Sequence, residues 1–164
     1  MKLLFLEETN KNAIVDKVII ASGGSPTKKG LNWLERSGHD IIDPVPSLFT
    51  FNIPKSPIIK LMGVVAKDTL VYIQGTKLSC KGPLLITHWG MSGPAILKLS
   101  AFGARILNEV NYDFNIQVSW INEKNNELIV SQLKEIIHQH PKKALSNTKP
   151  FGLPERLWIF LLKK

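Results

Sequence analysis

The chain of 164 residues is poor in cysteine, with Cys80 alone. One thiol cannot close an internal disulfide, so the fold needs no oxidising compartment. No uninterrupted apolar run is long enough to span a bilayer. The amino terminus, Met1-Lys2-Leu3-Leu4-Phe5-Leu6, meets Glu7 and Glu8 at once and lacks the apolar region and cleavage site of a signal peptide. A cytoplasmic protein with no membrane partner is expected. There is no Walker lysine loop, no Gly-x-Gly-x-x-Gly and no Gly-x-Ser-x-Gly elbow. His39, His88, His138 and His140 do not take zinc spacing with Cys80, so no metal site is expected. His138 and His140 stand two apart on an expected helix and so face different ways.

What is present suits a globular chain of one domain or two small ones. Apolar residues make up 44% and charged residues 21%. The formal net charge is +8. Part of it sits in Lys28-Lys29, Lys142-Lys143 and Lys163-Lys164. Such a charge can mean phosphate or nucleic-acid binding, or it can be solvated lysine with no specific role.

Residues 3–6 and 14–21 read as strands, the second apolar throughout its end and buried on both faces, with a turn at 10–12 between them. A short helix over 31–36 ends at Gly38, and Ile41-Ile42 make another short strand. Pro44, Pro46, Pro54 and Pro57 forbid a long helix and mark a crossover into a second module. Short strands follow at 63–66, 70–74, 77–80 and 84–87, as in a small barrel or sandwich. Ser92-Gly93-Pro94 offers a cap and a first-turn proline for a helix whose inner face is Ala95, Leu99, Phe102 and Ile106. Alternation over 112–120 predicts a strand with Tyr112, Phe114, Ile116, Val118 and Trp120 inward. The remainder is helical. Ile129, Leu133, Ile136, Ile137 and His140 share one face before Pro141, and Leu153-Pro154 opens a last helix with Leu157, Trp158 and Leu161.

Two segments could carry chemistry. Ala21-Ser22-Gly23-Gly24 follows a strand, where small residues let a nucleotide approach, or it is a plain glycine turn. Thr87-His88-Trp89-Gly90-Met91-Ser92-Gly93-Pro94 joins a strand to a helix. Its His88, Gly90, Ser92 and Gly93 could hold substrate or an anion at the helix terminus, with His88 a candidate proton or hydrogen-bond donor. Alternatively Ser92 only caps the helix while His88 and Trp89 pack.

These segments carry a family resemblance. Ala21–Pro26, Gly38–Leu48, Gly82–Ala95 and Pro150–Trp158 match, in order and approximate spacing, the BaiN-like family of NAD(P)/FAD-dependent oxidoreductases, which includes aminoacetone oxidase-like flavoproteins. The most specific piece is His88-Trp89-Gly90-Met91-Ser92-Gly93-Pro94. The resemblance implies an α+β chain: a small translation-protein-like β-barrel with a helical subdomain, preceded by a fragment of a Rossmann-like flavin domain. The implied division is 1–45 for the flavin segment, 46–121 for the insert barrel and 122–164 for its helical part. It also implies FAD in the complete enzyme, contacted through Ala21, Ser22, Gly23 and Gly24, with Ser22 in place of the usual threonine. The family's amino-terminal glycine loop and carboxyl-terminal flavin motif are missing. The chain alone is therefore expected to retain no FAD and to be inactive. Its implied partner is the rest of its own flavin domain, with a small-molecule substrate and no nucleic acid. The alternative is a basic barrel module that binds RNA or another protein.

Overall fold

The computed structural model describes residue 14 and residues 16–163. The strand expected at 3–6 and the turn at 10–12 lie outside the described residues. The chain divides into two units, Met1–Pro44 and Val45–Lys164. Each is described by itself.

In the first unit the expected strand over 14–21 is not formed. The described residues there join no strand ladder, and Val18 and Ile19 are 74% and 78% exposed. A strand buried on both faces draws its burial from neighbouring strands and covering helices, and the described residues of this unit supply neither ladder. Ile41 and Ile42 also stay outside any strand, and Ile42 is exposed. The expected helix is present, as a 3-10 turn Lys28–Leu31 running into α1 (Asn32–Glu35). Gly38 stops it at φ +89. Its amide donates to the Glu35 carbonyl at 3.0 Å, and the His39 amide reaches back to Leu34 at 3.3 Å, the paired bonds of a left-handed helix stop. Lys28 and Glu35 pair at 2.9 Å across this turn, and the carboxylate raises the lysine pKa.

The second unit is an α+β fold built on a curled antiparallel half-barrel. Its strands are β1 (Phe51–Asn52), β2 (Val65–Ile73), β3 (Ser79–Ile86), β4 (Gly90–Ser92) and β5 (Ile116–Ser119), in the order β1-β4-β3-β2-β5. The four short strands expected between 63 and 87 are two long ones. The break expected at Gly82-Pro83 is an irregularity within β3, opposite a register shift between Ala66 and Thr69. Gly82 takes φ +150, and the fully buried Thr69 donates its hydroxyl to the Gly82 carbonyl at 2.7 Å. That bond replaces a ladder bond lost at the bulge, so the strand continues.

Helix α2 (Pro94–Phe102) lies against this sheet, and α3 (Ala104–Glu109) packs on α2. They bury Ala95, Ile96, Leu99, Ser100, Ala104 and Leu107. The expected face is correct at Ala95 and Leu99 only. Phe102 is 72% exposed and Ile106 39%. The inner face mixes Ile96, Leu99 and Leu107 with the small Ala95, Ser100 and Ala104, and the chain comes closest at Gly103. A Cβ at Gly103 would stand 3.2 Å from both the Ile73 and Leu78 side chains. The turn there also separates the two helices. Ser100 donates to Leu97 at 2.9 Å and accepts the Phe49 amide at 3.0 Å, which ties the approach to β1 onto α2.

The strand expected over 112–120 begins only at Ile116, because Asn111 and Tyr112 turn at φ 51 and 60. The two edge strands approach through rings. Phe51 meets Phe114 edge-on at 4.9 Å, and Phe49 meets Tyr112 at 5.6 Å. Next comes α4 (Asn126–Gln139), capped by the Asn125 side chain, which accepts from Glu127 and Leu128 at 2.9 and 3.3 Å. Ile129, Leu133 and Ile136 are half-buried as expected, while Ile137 and His140 are exposed. Two 3-10 turns, Leu145–Asn147 and Pro150–Gly152, lead to α5 (Glu155–Leu162), where Leu157 and Trp158 enter the core. Among the described residues no helix is long and apolar enough to cross a membrane.

Replacing Thr69 by valine keeps the shape and removes the hydroxyl bridging the bulge. Urea denaturation should show a loss of about 1–2 kcal/mol. An unchanged midpoint would mean the bulge closes without it.

Candidate functional site

The segment Thr87–Pro94 is a tight hairpin followed by a helix entry, not an open loop. Thr87 closes the turn twice. Its amide donates to the Gly90 carbonyl at 2.8 Å, and its hydroxyl accepts the Gly90 amide at 3.1 Å. His88 and Trp89 form the exposed tip, ring against ring at 3.9 Å. Gly90 then opens β4 between β1 and β3. A Cβ on it would fall 2.8 Å from the Ile53 amide nitrogen and closer still to the Phe51 carbonyl oxygen. Ser92, expected as the helix cap, is instead the last residue of β4 and pairs with Leu85. The cap position belongs to Gly93 at φ 96, with no side-chain bond. A Cβ on Gly93 would stand 2.9 Å from the Pro83 carbonyl. The first turn of α2 is thus covered by β3: Ala95 and Ile96 are fully buried, and Gly82 lies against Ala95.

Ala21, Ser22, Gly23 and Gly24 lie in the first unit, all exposed. Gly23 takes φ +76, and no heavy atom stands within 4 Å of where a Cβ would be on Gly23 or Gly24. A bare, open backbone of this kind can accept a flat ligand.

Charge is divided unevenly. Residues 1–44 hold 6 basic and 6 acidic residues, whereas 45–164 hold 15 basic and 7 acidic, so the whole excess of +8 belongs to the second unit. The chain from Ile136 to Pro154 has no acidic residue and carries His138, His140, Lys142, Lys143 and Lys149. On sequence alone Lys142-Lys143 belongs to a charge open to phosphate binding or to plain solvation. What marks the place is the clustering of His138, His140, Lys142 and Lys143. A concavity of 420 Å³ opens there, lined by His140, Lys142, Lys143 and Asn147 among others.

This segment is held from beneath. The Leu145 carbonyl accepts the Trp158 indole N–H at 2.9 Å, the Thr148 hydroxyl at 2.6 Å and the Thr148 amide at 3.1 Å. Arg156 donates to the Lys60 carbonyl at 2.9 Å, joining α5 to the barrel. Lys149 pairs with Glu155 at 2.9 Å, which holds the Glu155 carboxyl below its usual range. That contribution is present above the unfolded carboxyl pKa and is lost as pH falls through the lowered folded value. Both partners are more than half exposed, so it is small and salt-sensitive.

Comparison with known proteins places these features. Residues 45–164 match the family model described as "HI0933-like protein barrel and H2TH domain". The match takes in most of the chain, and the chain belongs to that family. The strands, α4, the two turns and α5 all lie within the matched residues. The chain is also 27% identical over 155 residues to a ribosomal RNA dihydrouridine synthase of Escherichia coli (strain K12), covering 87% of this chain. That coverage exceeds the span 45–164, so the likeness runs into the first unit. The chain spans 35% of the relative's length.

Gly90→Ala should cost the second unit at least about 2–3 kcal/mol, since backbone must move on both sides of β4. Gly24→Ala, with open space and no positive φ, should be nearly neutral. Thermal melting of both variants checks this; equal midpoints would contradict the tight packing of β4.

Proposed function

We propose that this member of the HI0933-like barrel-and-H2TH family is part of an FAD-dependent oxidoreductase that reduces uridine in ribosomal RNA, and that the barrel and H2TH unit docks the RNA. The likeness to the ribosomal RNA dihydrouridine synthase carries this reading, because it extends past the barrel into the segment that holds Ala21–Gly24. The concentration of all excess positive charge in the second unit supports it independently. Of the two expectations drawn from sequence, a small-molecule oxidoreductase and an RNA-binding basic barrel, the combination accounts for more than either alone.

In this reading the first unit is a piece of a Rossmann-like flavin domain. The open backbone of Ala21, Ser22, Gly23 and Gly24 lies along the flavin nucleotide, and the Ser22 hydroxyl is available to it. When bound, FAD in its reduced form supplies the hydride that, with a proton, saturates the C5=C6 bond of uridine. The barrel contributes a face for the bases. Its hairpin tip presents the Trp89 indole, 45% exposed, with His88 beside it, as a face on which a base can stack. Lysines on the helical part neutralise phosphates.

The test is a chimera. Residues 45–164 replace the matching segment of the Escherichia coli relative in cells that lack that enzyme, and dihydrouridine is measured in their ribosomal RNA by mass spectrometry. Restored dihydrouridine is expected. A chimera that folds and retains flavin but leaves the RNA unmodified would contradict an RNA-docking role for this unit. A chimera that does not fold leaves the decision to direct binding of the present chain to deproteinised ribosomal RNA, where no binding in low salt is the contradicting result.

A further inference from the structure

We infer that the stretch from the end of α4 through the first of the two turns, residues 138–149, is the part of this unit that grips the RNA sugar–phosphate backbone. This rests on the RNA reading above and says which surface performs it. The choice follows from three features of the molecule.

The first is the density of positive charge. Residues 138–143 bring His138, His140, Lys142 and Lys143 together and hold no carboxylate. The other carboxylate-free stretches of the unit, 45–67 and 69–108, carry Lys55, Lys60 and Lys67, and Lys77, Lys81, Lys98 and Arg105, none of them adjacent in sequence, and Lys81 pairs with Asp68 at 3.3 Å. Neighbouring cations offer a phosphate chain a concentrated attraction.

The second is shape. His138, His140, Lys142 and Lys143 are exposed, and the last three of these border the 420 Å³ concavity with Asn147. A concave wall with cations on its rim suits a continuous polyanion better than a single buried anion. No side chain is buried there as an enclosed anion site would require.

The third is rigidity. A loop that must be ordered on binding loses affinity to that ordering. Here the backbone is already fixed. Three donors converge on the Leu145 carbonyl, and Thr148 and Trp158 are 6% exposed. The Lys143 amide donates to the His140 carbonyl at 3.0 Å, and the Asn147 amide to Ala144 at 2.9 Å. The lysines therefore project from a backbone held by core residues, and only their own side chains remain to be ordered.

The experiment uses the full chain and deproteinised bacterial ribosomal RNA as probe, with filter binding over a salt series. The variant Lys142→Glu/Lys143→Glu is compared with Lys55→Glu/Lys77→Glu, which makes the same charge change on the barrel. Far-ultraviolet circular dichroism and melting confirm that each is folded. The two-turn variant should bind at least about 10-fold more weakly. Its plot of log affinity against log salt should flatten by about 0.7–0.9 per lysine lost. The barrel variant should change affinity by less than about 3-fold. Lys142→Ala/Lys143→Ala should give the same flattening with a smaller loss. Equal losses in the two charge-matched variants would overturn the inference while leaving RNA docking in place. A wild-type chain that binds no RNA in low salt would overturn both.

Discussion

The second unit depends on two points where backbone meets backbone with no room for a side chain. Gly90 brings β4 against β1, and Gly93 brings the start of α2 against the Pro83 carbonyl of β3. β1 is tied into the sheet only through β4. Were Gly90 any other residue, Phe51 would lose the ladder that holds it, and with it the ring contact to Phe114 that brings the two edges of the half-barrel together. Gly93 sets how deeply Ala95, Ile96 and Leu99 sink into the sheet. The His-Trp-Gly-Met-Ser-Gly-Pro motif thus owes much of its residue pattern to packing. Its exposed part is confined to His88 and Trp89.

A second fixed point lies at the other end of the unit. The Leu145 carbonyl gathers the Trp158 indole, the Thr148 hydroxyl and the Thr148 amide, so that α5 and the two-turn segment move as one. Arg156 carries that rigidity to the barrel through the Lys60 carbonyl. Apolar burial at Leu157 and Leu153 supplies the driving force, and these polar bonds set the geometry. A positively charged surface on a stiff support is well suited to a partner that is itself a charged, shaped polymer, and much less to a small neutral substrate.

Periodicity made some of this legible. The half-buried face Ile129, Leu133, Ile136 of α4 and the buried Leu157-Trp158 of α5 follow from 3.6-residue spacing, and the left-handed stop at Gly38 from its glycine. The face expected for the helix after Gly93 holds at Ala95 and Leu99 but not at Phe102 and Ile106, because the break at Gly103 resets the helical phase and Ile96, Ser100, Ala104 and Leu107 take the inner side. Ser92 looked like a cap by residue type, but strand pairing with Leu85 claimed it first. The apolar run Val18–Ile20 has the composition of a buried strand, yet a strand is made by its neighbours, which no local pattern supplies. The basic cluster His138, His140, Lys142 and Lys143 is in the sequence throughout. It gained meaning only once the two turns were seen to be pinned and the charge counted unit by unit.

The central proposal is that the basic segment 138–149, rather than the first unit, meets ribosomal RNA. Ultraviolet cross-linking of the chain to ribosomal RNA, followed by mass spectrometry of the peptide–nucleotide adducts, addresses it most directly. The account predicts adducts within residues 138–149, joined by the hairpin tip at Trp89. Adducts confined to residues 16–44, with none in 45–164, would contradict it.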